Sequence, residues 1–198
     1  MIYNSTPYPQ VLNKICGSQN CVLTDDCGKT YIDFEAGVWC ISVGHNHPGV
    51  NQAILNQLGR IVHVGYRYST DAVSHAARDL LAVSPFEEGA CVFLSSGSEA
   101  VEFGVRAIQS ITQRPYQLKL DGFYLSAYGK TNEQQSCLSI DLGKDPLQEL
   151  DKLPFEQISA FLFEPGNCSG QVLFPEQDLI HEIIRRTKEA GGTCLPMK

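Results

Sequence analysis

Short apolar runs and helical patterns alternate between residues 91 and 192, and no other feature of the sequence narrows its fold so far. "ACVFLSS" reads as a short, fully apolar strand, and "SEAVEFGVRAIQSI" places Val101, Val105 and Ile108 on one face of a helix. "YQLKLDGFYL", "SCLSIDL" and "ISAFLFEP" are further strand candidates. "EQDLIHEIIRRTKEAG" is a strongly amphipathic helix that stops at Gly191-Gly192. Such alternation implies an α/β layer, a mostly parallel sheet flanked by helices. In sheets of this kind ligands sit beyond the carboxyl ends of the strands. After the last helix the chain offers only "TCLPMK", in which Pro196 cannot donate to a central ladder. The expectation is therefore a pattern truncated before the sheet is complete, with one strand position left empty.

Upstream the pattern is different. "CVLTDDCGKTYIDFEAGVW" reads as two short strands around a turn, with Asp and Gly supplied by "DDCGK". Pro48 can open a helix with Val50, Ile54, Leu58 and Ile61 on one face. "STDAVSHAARDLLAVSP" is a second helix, capped by Ser69 or Thr70 and stopped by Pro85. A net charge of −7 argues against a nucleic-acid or anionic-membrane surface. No apolar run is long enough to span a bilayer, and "MIYNSTPYPQ" has no basic region followed by an apolar core. A cytoplasmic protein without membrane or nucleic-acid partners is expected. The eight cysteines form no C-x-x-C pair; Cys91 and Cys137 lie in apolar runs, and reduced, mostly buried thiols without a metal are expected throughout.

Three stretches bear on chemistry. "LSSGSEA" follows an apolar run and opens a helix. Gly97 lets a ligand approach the backbone, Ser95, Ser96 and Ser98 add hydroxyls, and the first helical N–H groups are unpaired, which together make a phosphate site. Ser96-x-x-Glu99 is also a capping box, which accounts for both residues by helix energetics alone. Gly129-Lys130-Thr131 matches the end of a P-loop, but Tyr124 stands where that loop needs its first glycine, so nucleotide hydrolysis is not expected. In "GHNHPGV", His45 and His47 could begin a metal site, but no third ligand is evident and a structural loop is the simpler reading.

In order along the chain, "DDCGKTYIDFEAGVWCISVGHNHPGVNQAI", "SSGSEAVEFGVRAI", "YGKT" and "FEPGNCSGQVLFPEQDLIHEIIRRTKEAGG" resemble phrases of the class-III aminotransferases, pyridoxal-phosphate enzymes of fold type I. The resemblance spans about residues 20–192. It implies a fold-type-I aminotransferase-like architecture, with 1–47 an N-terminal segment belonging to a small domain and 48–198 an incomplete cofactor-binding large domain. It implies pyridoxal 5'-phosphate as cofactor, an amino donor and a keto acid or aldehyde as substrates, and a homodimer. Residue by residue, it implies that Gly97 and Ser98, with Ser96, bind the phosphate. Ala127 falls at the position of the aromatic that stacks on the ring, so that either Tyr128 beside it takes over as a cofactor-binding residue by a small shift or the stacking is lost. Glu164 opens the Glu-Pro phrase near the cofactor. Trp39 corresponds to a position lining the substrate pocket, and reads equally well as a buried hairpin aromatic. The family's strand ending in Asp-Glu, whose Asp pairs with the pyridine nitrogen, is expected to be replaced by "TCLPMK". Lys198 lies too early to be the Schiff-base lysine. No catalytic residue is therefore assigned, and the chain is expected to be a truncated, inactive piece or a non-catalytic binding fragment that keeps a phosphate turn and a dimer surface.

Overall fold

In the computed structural model the described residues are 14–86, 88–129, 131, 133, 135–167 and 172–197, so that Lys130, Cys168 and Lys198 lie outside them. The chain divides into two units between Ala90 and Cys91. The boundary suggested by sequence, after residue 47, falls inside the first of them.

The second unit is built on four parallel strands: β4 (Tyr116–Leu120), β5 (Cys137–Ile140), β6 (Ile158–Phe163) and β7 (Thr193–Pro196), in the order β5-β4-β6-β7. β6 is buried along all but its last residue, as expected of a parallel strand covered on both faces. Helices α4 (Gly97–Thr112) and α6 (Gln177–Glu189) both pack on it, and the short helix α5 (Pro146–Leu150) packs on β5 and α6. The core joins Leu118, Leu120, Ile140, Phe161, Leu162 and Ile183 with Val105 of α4, and Val101 and Ile108 pack against it. The helical face read from the sequence is thus the face that is buried. Arg114, in the connection after α4, donates to the carbonyls of Ile158 (3.1 Å) and Ala190, tying the start of β6 to the end of α6.

Two expectations fail here. Residues 91–94 form no strand: no strand of the sheet pairs with them, and Val92, Phe93 and Leu94 are exposed. Apolar character alone does not make a strand, which needs a ladder partner. Conversely, "TCLP" does form β7, in register with β6 as Ala160↔Thr193 through Phe163↔Pro196. Met197 N–H donates to the Phe163 carbonyl at 2.8 Å. Backbone groups alternate sides along a strand, so the nitrogen of the preceding Pro196 faces the open edge, where a missing N–H breaks no bond.

The first unit carries β1 (Ile15–Gln19), β2 (Val22–Asp25) and β3 (Thr30–Ile32) as an antiparallel sheet, the first strand not foreseen. Buried Asp25 organises the turn: its carboxylate accepts the N–H groups of Cys27 (3.0 Å) and Lys29 (2.8 Å) and the hydroxyl of Tyr31 (2.9 Å). Ala36–Trp39 (α1) is a left-handed turn, with Ala36, Val38 and Trp39 at φ of 49°, 57° and 64°. Each costs about 1–2 kcal/mol. Asp33 holds the entry by accepting the N–H groups of Glu35 and Ala36, both at 2.9 Å, and its other oxygen meets His45 Nε2 at 2.7 Å. That contact with His45 and the two backbone N–H groups hold the Asp33 carboxyl below its ordinary value. His47 caps α2 (Pro48–Leu58), accepting from Val50 N–H. Both histidines are thus engaged in hydrogen bonds within this unit. α2 ends before Ile61, and Val50, Ile54 and Leu58 are exposed in this unit. Thr70 caps α3 (Asp71–Val83).

The cysteines also depart from expectation. Cys137 is buried, and burial pushes its thiol up to about 11, but Cys16, Cys21, Cys27 and Cys40 are exposed on the small first unit. The seven described cysteines are all free thiols. Asp25, Asp26 and Cys27 are the one group among the described residues with ligand atoms close enough to hold a metal, and Asp25 is consumed by the turn. Among the described residues no helix is long and apolar enough to cross a membrane.

On the solvent side of α6, Glu182 accepts from Arg185 and Arg186, both at 2.7 Å, and these hold its carboxyl down at about 2, from an ordinary value of 4.5. A carboxyl whose value is lowered by folding contributes stability above its unfolded value and loses it as pH falls toward its folded one. In thermal melts, Glu182→Gln is expected to lower the midpoint near neutrality. The difference from the unaltered chain should shrink below pH 4.5 and vanish near pH 2, and it should be smaller in high salt because the pairs are solvent-facing.

Candidate active-site cleft at the strand carboxyl ends

The parallel pairing of β4, β6 and β7 sets their carboxyl ends side by side, and α4 starts at the same end. A cleft of about 450 Å³ opens there, lined by Ser96, Gly97 and Ser98 at the start of α4, Tyr124 and Leu125 after β4, Glu164 after β6, and Leu195, Pro196 and Met197 at the end of β7. It lies wholly within the second unit.

Ser96 is the N-cap, with extended backbone, and its Oγ accepts Glu99 N–H at 3.2 Å. The reciprocal half of the capping box differs from the usual form, since the hydroxyl donates to Glu99 Oε2 at 3.2 Å. Gly97 and Ser98 are the first two helical residues, whose N–H groups have no acceptor within the helix and carry its positive end. A Cβ built on Gly97 would meet no heavy atom within 4 Å, so the glycine opens onto the cleft rather than onto protein. Ser98 Oγ accepts the Ala127 N–H at 2.8 Å. With that lone pair engaged, its own proton is left to donate. Two N–H groups and a hydroxyl donor converging beside open space suit an anion such as a phosphate monoester.

The loop after β4 is stitched to α4 twice, one helical turn apart. The first stitch is Ser98 with Ala127; the second sets Gly129, at φ 89°, against the buried carboxylate of Glu102, which also faces Arg106 at 3.8 Å. Between the stitches Ser126 Oγ donates to the Tyr128 carbonyl (2.6 Å) and accepts its N–H (3.3 Å). Further anchors are Asn167 Nδ2 to the Gly122 carbonyl (2.8 Å) and Lys119 Nζ to the Thr131 carbonyl (3.0 Å). This path puts Tyr124 in the cleft. Tyr128 is not among the lining residues; both tyrosines are 51% exposed. Ala127 contributes its backbone N–H. Tyr124 lies four residues past the end of β4 and Tyr128 eight.

Glu164 is the first residue after β6. Its Oε2 is buried without a hydrogen-bond partner, and burial raises its carboxyl above the ordinary range. Beside it the β7 end supplies only apolar side chains, Met197 last. Ser96, Gly97, Ser98 and Glu164 are thus brought together as the sequence suggested. Trp39 belongs to the first unit, where it ends the left-handed turn and is exposed, so it is not a buried hairpin aromatic. No lysine lines the cleft among the described residues.

Gly129 is the position where the stitching is least tolerant. Its positive φ disfavours any side chain, and a Cβ there would fall inside the Glu102 carboxylate. Gly129→Ala is expected to destabilise the second unit by more than about 1 kcal/mol, read as a lower midpoint in denaturant. The same substitution should loosen the loop that carries Tyr124, read as increased tyrosine quenching.

The family model for aminotransferase class-III matches residues 3–124. Acetylornithine aminotransferase of Methanosarcina mazei is 28% identical over 200 residues, which are 92% of this chain and 48% of that protein. Glutamate-1-semialdehyde 2,1-aminomutase of Chlamydia muridarum is 31% identical over 209 residues, 94% of this chain and 47% of the other. The chain spans about half the length of these curated relatives. Among solved structures, an S-selective transaminase from Bacillus megaterium superposes with a TM-score of 0.81 at 21% identity, covering 99% of this chain and 53% of that one. A transaminase with PLP bound superposes with a TM-score of 0.81 at 22% identity, covering 97% of this chain and 49% of its own. At these identities the structural likeness speaks for the fold, fold type I.

Proposed function

The chain belongs to the class-III aminotransferases, and from that membership we propose that its cleft binds pyridoxal 5'-phosphate, with the phosphate on Ser96, Gly97 and Ser98. The observation that carries this reading is the open space at Gly97, faced by unpaired helical N–H groups and the free proton of Ser98, at the carboxyl ends of three parallel strands. When bound, the cofactor supplies an electron sink for moving an amino group from a donor to a keto acid or aldehyde. The residues described here bind and orient it. Ser98 and the α4 N-terminus hold the phosphate. Tyr124, or Tyr128 in the same loop, would offer an aromatic face to the ring, and Leu195, Pro196 and Met197 would line one side of the space around it. Glu164 brings the one carboxylate among the described lining residues.

A second reading, a binding module without transfer chemistry, is favoured by the wholly apolar wall that Leu195, Pro196 and Met197 give the cleft. On either reading the exposed apolar side chains of α2, Ile54, Leu55 and Leu58, support self-association as a homodimer. Trp39 as a substrate-pocket residue, the small-domain assignment of residues 1–47 and a cytoplasmic setting complete the proposal.

Titration with pyridoxal 5'-phosphate tests the phosphate assignment. Gly97→Val should abolish binding, because its side chain fills the space the phosphate needs. It should leave the melting midpoint unchanged, because that space is free of protein atoms. Unaltered affinity in this variant would remove the phosphate from the turn. Addition of an amino donor separates the two readings: consumption of the donor with formation of a keto acid supports transfer, and unchanged donor supports the binding module.

A further inference from the structure

Four consecutive residues, Ala36–Trp39, run left-handed. Gly37 has φ 59° and ψ 45° and Val38 φ 57° and ψ 52°, between Ala36 at φ 49° and Trp39 at φ 64°. Glycine visits this region at no steric cost, and usually as a single residue; a β-branched valine followed by a tryptophan does so only where the surroundings force it. Val38 and Trp39 are both more than half exposed, so burial of their side chains does not offset the strain. The compensation comes from polar contacts at the entry to the turn.

The hand changes between Glu35, at φ −94°, and Ala36. Asp33 Oδ1 accepts the N–H groups of these two residues, both at 2.9 Å, and Oδ2 meets His45 Nε2 at 2.7 Å. Both members of the pair are fixed to the turn between β1 and β2. Asp33 N–H donates to the Cys21 carbonyl at 2.8 Å, and His45 exchanges main-chain hydrogen bonds with Asn20 at 2.8 and 2.9 Å. The side chains of the pair are only 15% (His45) and 8% (Asp33) exposed, so water competes little for the contact. His45 on one oxygen thus holds the carboxylate in the orientation in which its other oxygen reaches both N–H groups.

We propose that Asp33 and His45 are positioning residues that form a latch on Trp39. While the latch is closed, the turn stays left-handed and the indole is held in one orientation on the surface of the first unit. When it opens, the turn relaxes and the ring is released. The latch holds the indole whether or not a substrate meets it, so this goes beyond the reading of Trp39 as a pocket residue and does not need it.

Trp39 is the chain's one tryptophan, so its fluorescence reports this turn alone. In the otherwise unaltered full chain, Val38→Gly is expected to raise the midpoint of a melt followed by that fluorescence by about 2–4 °C, because glycine removes the left-handed penalty. His45→Phe keeps a ring but gives Asp33 no donor, and it should reverse the sign. With the turn relaxed, Val38→Gly only adds backbone freedom to the unfolded chain and lowers the midpoint. His45→Phe should also add a fast component to the decay of tryptophan anisotropy below the melt. A merely structural loss would lower the midpoint and leave the native-state decay as it was. His45→Gln, which restores a donor, should remove the fast component. A midpoint lowered by Val38→Gly in the unaltered chain overturns the strain and the latch with it, and this substitution leaves the pair untouched, so its sign is read even where a latch variant folds poorly. An equal rise in both backgrounds overturns the latch, as does an unchanged anisotropy decay in His45→Phe or a fast component that persists in His45→Gln.

Discussion

Every feature of the cleft depends on the parallel ladder that holds β6 between β4 and β7. The three strands end at one level because their hydrogen bonds fix their register, Leu118 opposite Phe161 and Phe161 opposite Cys194. A slip of one residue would turn each strand's side chains over. Leu118 and Phe161 would then leave the core, and Glu164 would no longer face the space before Gly97. Burial of β6 on both faces makes such a slip expensive, and Arg114 pins the strand's first carbonyl to the far end of α6. The polar groups at the cleft are thus positioned by apolar contacts well behind them.

Much of this was legible in the residues. The helical period of Val101, Val105 and Ile108 predicted the buried face of α4, Ser96 and Glu99 marked its start, and the uniformly apolar "ISAFLF" marked a central strand. These are local signals with local causes. What escaped depends on partners distant in sequence. Residues 91–94 have the composition of a strand, yet composition says nothing of whether a neighbour is there to pair. Pro196 reads as a ladder breaker until it is known which side of β7 its nitrogen faces. The exposure of Cys16, Cys21, Cys27 and Cys40 follows from the small size of the sheet they sit on, which buries little beyond Asp25.

Tyr124 and Tyr128 carry the same lesson at the site itself. Both tyrosines lie in one loop, and a pattern match along the chain does not say which of them lines the cleft. The loop's path is decided by Ser98 meeting Ala127 and Glu102 meeting Gly129, contacts that span nearly thirty residues in sequence. Ser98 links the two levels of organisation. Its hydroxyl accepts from the loop, which ties the start of α4 to the segment that carries both tyrosines, and its own proton is left to donate. A single small side chain thus joins two sides of the cleft.

Pro196 bears also on how this chain meets other chains. Along the outer edge of β7 only alternate residues turn their backbone groups outward, Cys194 and Pro196, and of these only Cys194 has an N–H to give. A strand laid against that edge would find two carbonyls and a single donor. An exposed edge is a template for uncontrolled growth of a sheet, and proline is among the devices that blunt it. The residue that looked like the point where the fold fails thus leaves the inner ladder intact and makes the outer one a poor surface for sheet-to-sheet aggregation.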